Sequence, residues 1–416
     1  MKAWDLVIVL PHLGPGGAQK VALLAAEQLL EEGQNVALLT LLPDKPKTHQ
    51  LPDGLVWIDL GVDVEATTSN RALFARGGRF LLAWSRRLLA LALVIVLRGW
   101  LRCVRPGQQA GFVRWLLFSL TGPQAVFLAD WMFRHQPPRV LSLLTRTNLL
   151  CCAALWDQSG HLVVSERNDP RLQLQPFPWP WLRGWLWSRA NCITANTAGV
   201  LEGLQRCDPS RSASMRLLPN PLVIPPPAQE TTWVLPFAGD HYFLAVCRLV
   251  QQKGIDLLLQ AYAALSMEIR HAWPLVIAGD GPERQVLEEM VSVLGLEGQV
   301  HFLGFVSKPQ ALYSRTAVFV LPSLFEGMPN ALLEAMGAGM AVVVSDASPG
   351  PLEVVVAHST GLIFPSGDVD ALAREMDSAS RDSVMRTKLG SKAKALMAAH
   401  RWDVLGSTWK DILKLS

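Results

Sequence analysis

Residues Phe319 to Met336 read FVLPSLFEGMPNALLEAM: an apolar strand, a turn broken by Gly and Pro, then a helix. Glu326 sits in the turn and Glu334 two helical turns further on. At the start of such a helix the N–H groups, here those of Gly327, Met328 and Asn330, lack intrahelical acceptors. The macrodipole adds about half a positive charge at that end. A strand that feeds a helix start in this way forms an anion-binding corner, and a diphosphate fits it. Glu326, ahead of the helix, can accept bonds from sugar hydroxyls, while Glu334 can reach a ribose whose two hydroxyls need paired acceptors.

Working outward, Phe243 to Gly254 reads FLAVCRLVQQKG, with Arg248 at the end of an apolar strand and Lys253 in the loop that follows. A planar guanidinium fork and a mobile ammonium at one strand end can converge on a single diphosphate and neutralise it as it leaves. Four further junctions lie in the same half: IAGDGPE (Ile277 to Glu283), VHFLGFV (Val300 to Val306), SDASPGPLEVV (Ser345 to Val355) and GLIFPSGD (Gly361 to Asp368). Each alone is an ordinary strand-turn-helix connection.

Taken in this order, these stretches resemble the retaining glycosyltransferases of family 4, and they cover the whole carboxyl-terminal half. Glu326 and Glu334 match the family's E-x7-E signature, and the Arg248 to Lys253 stretch matches its "GRLxxxKG" segment, with Cys247 where a small residue is usual. The resemblance implies an α/β chain of GT-B fold, two Rossmann-like doubly wound domains facing a cleft. It also implies a nucleoside-diphosphate-sugar donor, with UDP the expected nucleotide. Arg248, Lys253 and Glu326 would be catalytic. Gly327, Met328, Asn330 and Glu334 would hold the donor, and the backbone around Phe302, Gly304 and Phe305 would receive the base.

The amino-terminal half opens with an apolar strand, Asp5 to Leu10, then Gly14, Gly16 and Gly17 ahead of a helix. Gly16 and Gly17 resemble the family's GGA loop and would let backbone approach the diphosphate or the acceptor sugar. LLTRTNLL (Leu143 to Leu150) and LVVSERNDP (Leu162 to Pro170) each end an apolar strand in polar residues. Polar groups at carboxyl strand ends line the ligand crevice of an open sheet. Asn148, Glu166, Arg167 and Asn168 are the acceptor-side candidates, and SERNDP resembles a block in bacterial members that extend surface glycans. A helix cap at Asn168 or Asp169 is the other reading of that block.

Strands are expected near 5–10, 35–42, 55–60, 140–145, 162–166, 191–195 and 214–218, alternating with helices, and the pattern restarts near Tyr242. Such alternation means parallel sheets. At 416 residues with half of them apolar, the chain can fill two cores. We expect an acceptor-side domain over 1–225 and a nucleotide-sugar domain over 238–400. Between them Pro219 to Phe237 holds six prolines. The helix over 402–416 resembles the family's terminal segment, which crosses back to the first domain.

Six cysteines without CxxC spacing suit a reducing compartment, and the first apolar run is too short for a cleavable leader. Asp368-Val-Asp370 opens a helix after a Gly turn, so capping is expected of it rather than metal binding. We expect no cofactor and no metal, the nucleotide sugar being a co-substrate.

One segment departs from the family pattern. Arg71 to Leu120 holds nine Arg, no Lys and no acid, a charge of +9 against an overall +3, which leaves −6 for the remainder. Its longest uncharged run is the ten residues Leu88 to Leu97. Ten residues make about 15 Å of helix, half of what a bilayer core requires. Arg79, Arg86, Arg87, Arg98, Arg102 and Arg105 fall within about 160° of helical arc, as in a helix lying in a membrane interface. Trp179, Trp181, Trp185 and Trp187 around Arg183 and Arg189 would suit the headgroup zone. The interleaving is aliphatic, which argues against nucleic acid. These features lead us to expect a cytoplasmic enzyme, peripheral on the inner face of the plasma membrane, that acts on a lipid-linked glycan. A soluble transferase acting on a free oligosaccharide is the alternative within the class. A non-catalytic sugar-nucleotide binder is the alternative outside it.

Overall fold

The computed structural model describes residues 4–42, 47–61, 76–172, 175–222, 235, 237, 239, 241–313 and 317–416, the side chains of 76–83 excepted. Arg71 to Ala75, the side chain of Arg79 and most of the Pro-rich segment lie outside the described residues. Two parallel sheets carry the chain. In the first, β1 (Leu6–Leu10), β2 (Val36–Thr40), β3 (Val56–Asp59), β4 (Arg139–Leu143), β5 (His161–Glu166), β6 (Cys192–Ala195) and β7 (Met215–Leu217) stand in the order β3-β2-β1-β4-β5-β6-β7. The second holds β8 (Phe243–Val246), β9 (Leu275–Ala278), β10 (Val300–Gly304), β11 (Val318–Leu321), β12 (Ala341–Ser345) and β13 (Leu362–Phe364), in the order β10-β9-β8-β11-β12-β13. The class is α/β, as the alternating pattern leads one to expect.

Strands covered by helices on both faces need apolar residues on both, which is why LVIVL of β1 and AVVVS of β12 are buried along their whole length. β3 is an edge, and its Val56 and Trp57 are exposed. In both sheets the order reverses once, between β1 and β4 and between β8 and β11. The loops leaving the strands diverge at such a reversal and open a crevice at the carboxyl ends.

The chain divides into a unit of residues 1–196, 200–218 and 407–416 and a unit of residues 197–199 and 219–406. The end of the terminal helix, Trp402–Leu413, is held in the first unit. His161 Nε2 meets Ile412 O at 2.8 Å, Arg139 Nε donates to Lys414 O at 2.6 Å, and Lys410 pairs with Glu32 at 2.9 Å.

The Arg-rich segment forms the helix Arg76–Leu101, which packs on the helix Ala110–Thr121. Ala90, Val94 and Leu101 are buried in the core of the first unit. Arg86 and Arg87 flank this buried stripe, while Leu88, Ala92, Ile95 and Val96 lie opposite it and are exposed. The outermost face is therefore apolar and the arginines sit nearer the body, an orientation that helical periodicity alone does not specify. No helix among the described residues is long and apolar enough to cross a membrane.

The Trp cluster departs from its expected place. Trp185, Trp187, Arg183 and Arg189 are buried, and Trp156 packs against Trp185 with centroids 5.3 Å apart. Arg189 donates to Leu155 O, Gln158 O and Gly160 O. Its guanidinium thus serves as interior scaffolding for three carbonyls, and the ring cluster is core rather than headgroup surface.

Candidate functional site

In the second unit the reversal between β8 and β11 gathers the charged residues. After β8 the chain passes Arg248, which is exposed, and runs through a short 3-10 turn, Gln251–Lys253, to Gly254. Gly254 adopts φ 61°, and a Cβ there would collide with Pro322 O. Only glycine lets these two loops close up. Leu324 N donates to Gln252 O at 2.8 Å and Gln252 Nε2 to Phe325 O at 2.8 Å, so the loop after β11 is stitched to the loop after β8.

This stitching brings Lys253 Nζ into an ion pair with Glu326 Oε1. Both side chains are largely buried, at 14% and 8% exposure. Ser323 Oγ donates to the same carboxylate oxygen at 2.7 Å, and Glu326 N donates to Ser348 Oγ at 2.7 Å. Gly350 completes the seat, since a Cβ there would collide with Gly327 O. Burial pushes the Cys247 thiol up to about 12, while Lys253, Glu326 and Arg248 all act on it electrostatically. A thiol held protonated in this way is a poor nucleophile.

Glu334 is half-buried on the helix Asn330–Ala338 and accepts a bond from Tyr313 Oη at 2.9 Å. Desolvation and then the Glu334 charge raise the Tyr313 phenol well above its usual range, so it stays a donor. At the start of that helix Asn220 Nδ2 donates to Met328 O at 3.2 Å and to Asn330 Oδ1 at 2.6 Å. On the other side of β8, Cys247 N donates to Ala278 O and Leu249 N to Asp280 O. Gly279 N donates to Gly304 O at 2.8 Å. The turn Phe302, Gly304, Phe305 is thereby carried on the GDG loop, with Phe305 exposed. Every donor-side candidate in this unit thus lies at the carboxyl edge of one sheet. Asp368 Oδ1 accepts from Ala371 N at 2.8 Å and is a helix cap, as expected.

In the first unit Gly16 and Gly17 follow β1 and Asn148 follows β4, on the two sides of the reversal, while Glu166, Arg167 and Asn168 lie at and beyond the end of β5, the next strand. Gly17 opens the helix Gly17–Glu31, with Gly16 as its cap. Leu144 follows β4 with φ 76°, a strained conformation for a leucine, and Leu144 N donates to Ser165 O at 3.1 Å. Beyond it, fully buried Asn148 donates to Ser165 O and to Glu166 Oε1, both at 3.0 Å, and accepts from Ser142 Oγ at 2.7 Å. Thr145 Oγ1 holds Glu166 Oε2. Burial pushes the Glu166 carboxyl up, against the opposing pull of these two bonds and of Arg183. Arg167 is buried and lowered to about 10 by desolvation. Asn168 is half-buried, and Asp169 Oδ1 accepts from Arg171 N at 2.8 Å, so the loop beyond β5 is closed by Asp169.

The structure adds residues to the site that the sequence reading passed over. Ser323, Ser348, Tyr313 and Asn220 all touch a candidate, and Gln19 is buried beside Gly16 with its amide 3.5 Å from His12. Only Ser323 and Ser348 lie in stretches that the motif reading had already marked.

Residues 229–396 match the family model described as glycosyl transferases group 1. A Campylobacter jejuni GalNAc-alpha-(1->4)-GalNAc-alpha-(1->3)-diNAcBac-PP-undecaprenol alpha-1,4-N-acetyl-D-galactosaminyltransferase is 29% identical over 255 residues, 61% of this chain and 68% of that one. The O-antigen chain mannosyltransferase B of Escherichia coli is 34% identical over 169 residues, 40% of this chain and 44% of that one. Among solved structures, Anabaena HepE in complex with UDP and glucose superposes with a TM-score of 0.71 over 98% of this chain and 99% of that one. At 15% identity that likeness speaks for the fold, which is GT-B. The sequence matches support glycosyltransferase chemistry.

Proposed function

We propose that the protein is a retaining glycosyltransferase that moves a hexose or N-acetylhexosamine from a nucleoside-diphosphate sugar, UDP-linked, to a lipid-linked glycan in bacterial surface-polysaccharide assembly. The observation that carries this reading is the buried Lys253–Glu326 pair beside Arg248, at the order reversal of the second sheet. In the reaction the bond from the anomeric carbon to the diphosphate oxygen breaks and negative charge grows on the departing diphosphate. Arg248 and Lys253 stabilise that charge where it develops. Glu326 orients the donor sugar, its carboxylate held by Lys253 and Ser323. Glu334, braced by Tyr313, binds the ribose hydroxyls.

Retention follows a front-side course. The acceptor oxygen bonds the anomeric carbon on the face the diphosphate leaves, and its proton passes to a diphosphate oxygen. On the acceptor side, Asn148 and Glu166 present a buried carboxyl that can hold a sugar hydroxyl, with Arg167 and Asn168 next in the loop. On this reading Arg248 and Lys253 neutralise the diphosphate in place of a metal. Names of relatives support the lipid-linked acceptor: the Campylobacter enzyme's own acceptor is an undecaprenyl diphosphate glycan.

Slow hydrolysis of a panel of UDP and GDP sugars by purified protein tests the reading, because hydrolysis needs no acceptor. Release of UDP from at least one sugar, lost in Lys253→Ala, is the expected result. A panel without turnover contradicts it. Attachment to the inner face of the plasma membrane rests on the exposed apolar face of the helix Arg76–Leu101 and its flanking arginines. Flotation with anionic vesicles tests this part, and protein that stays at the bottom of the gradient overturns it.

A further inference from the structure

A cavity of about 460 Å³ opens in the first unit where the helix Arg76–Leu101 crosses the end of the helix Ala110–Thr121. Trp84, Phe118 and Pro123 form its apolar wall, and Arg86 and Arg87 line its other side. Arg87 Nη2 donates to Leu120 O at 3.3 Å, and Arg146 Nη2 donates to the neighbouring carbonyl, Thr121 O, also at 3.3 Å. Two guanidiniums therefore hold adjacent carbonyls, of which that of Thr121 belongs to the cavity lining, as do Arg86 and Arg87. None of the three arginines has a carboxylate partner among the described residues.

The charges of Arg87 and Arg146 act on one another. Arg146 is pulled below its ordinary range, first by desolvation and then by the charge of Arg87, although part of its side chain still reaches solvent. Two arginines in one cavity lining suit an anion with several oxygens, and guanidinium forks match phosphate geometry. The apolar wall continues into the exposed ridge of Leu88, Leu89, Ile95 and Val96 on the same helix, so the anion should carry an apolar chain.

We infer that this cavity binds the diphosphate of a polyprenyl-linked acceptor, with its lipid chain lying along the exposed ridge. The inference rests on the transferase reading above and deepens it. Arg146 directly follows Thr145, whose hydroxyl holds Glu166, so the cavity adjoins the cluster proposed to take the acceptor sugar. A lipid-anchored diphosphate here would leave the attached glycan reaching toward that carboxyl. A bulk phospholipid headgroup shares the phosphate chemistry and is the source to be told apart.

The test compares full-length wild-type protein with Arg86→Ala/Arg87→Ala and with Arg86→Lys/Arg87→Lys. Binding is measured to neutral phosphatidylcholine vesicles, to the same vesicles doped with polyprenyl diphosphate, and to vesicles containing phosphatidylglycerol at equal charge. Doped vesicles should bind wild type about tenfold more tightly than the phosphatidylglycerol vesicles. The Ala pair should lose that preference, and the Lys pair should keep only part of it. Unchanged preference in a folded Ala variant, or equal binding to both anionic vesicles by wild type, overturns the proposal. Donor hydrolysis by wild type, measured alongside, is independent of this site, so its absence counts against the transferase reading and not against the cavity.

Discussion

The two sheets share one topology, each reversing strand order beside its first strand, yet the carboxylates at their carboxyl edges have opposite surroundings. In the second unit Glu326 is ion-paired to Lys253 and bonded to Ser323. In the first unit Glu166 is buried against Thr145 and Asn148, two neutral donors, and its carboxyl is pushed up. A fold of this type supplies the place, and the loop chemistry decides the charge that stands there. The ion-paired carboxylate belongs to the proposed donor site and the one held by neutral donors to the proposed acceptor site.

Breaking the paired site should produce the largest effect. Lys253→Ala leaves Glu326 as a buried carboxylate without its cation, at a cost of about 3 kcal/mol in unfolding free energy. Turnover of the donor should fall about 10²-fold with it, since the diphosphate loses a cation where its charge develops. Denaturant melts and steady-state UDP release check both. Turnover within about threefold of wild type would refute the role given to Lys253.

Gly254→Ala tests the closeness of the two loops without touching a charge. A left-handed φ costs a residue with a Cβ about 1–2 kcal/mol, and the collision with Pro322 O adds to it. The melting temperature should drop and donor turnover should fall with it, because Lys253 is the preceding residue. Tyr313→Phe removes the brace on Glu334 and should raise the donor KM by about tenfold with little change in kcat, a charge-assisted hydrogen bond being involved. A kcat effect instead would assign Tyr313 to the chemical step.

The unpaired site is probed by pH. Glu166 has a folded-state pKa above its unfolded value, so the native state binds the extra proton. Stability conferred by the protonated form is then complete below the unfolded value and declines as pH rises toward the folded one. Glu166→Gln should flatten that descent in a series of thermal melts, a smaller effect than the three above. An identical pH dependence in the variant would show that the carboxyl does not titrate there.

Most of the scaffold could be read from the chain because parallel strands buried on both faces are continuous apolar runs, and such runs are visible one by one. VALLT, RVLSL and HLVVSE lie within one or two residues of their expected positions. Likewise Arg248, Lys253 and Glu326 announce themselves as charges in the loops that follow apolar strands, and Glu334 by its spacing from Glu326 on the helix beyond. What the chain could not disclose depends on approach between distant segments. Tyr313 and Glu334 are 21 residues apart, Asn220 and Asn330 110 apart, and neither pair has a local pattern. The Arg-rich helix carries apolar residues on every side, so its period leaves open which face meets the body until Ala90 and Val94 are seen buried. Tryptophans beside arginines suggest an interface in sequence, and here burial of Trp187 and Arg189 decides for the interior.

The measurement that bears most directly on the central claim is the affinity of UDP for wild type and for Arg248→Ala/Lys253→Ala by calorimetry. Two charge-assisted contacts to one diphosphate predict a loss of about 10²-fold or more in the double variant, with the fold intact by circular dichroism. Equal affinity in the two proteins would mean that the diphosphate binds elsewhere, and the site described at the β8 and β11 ends would not be the donor site.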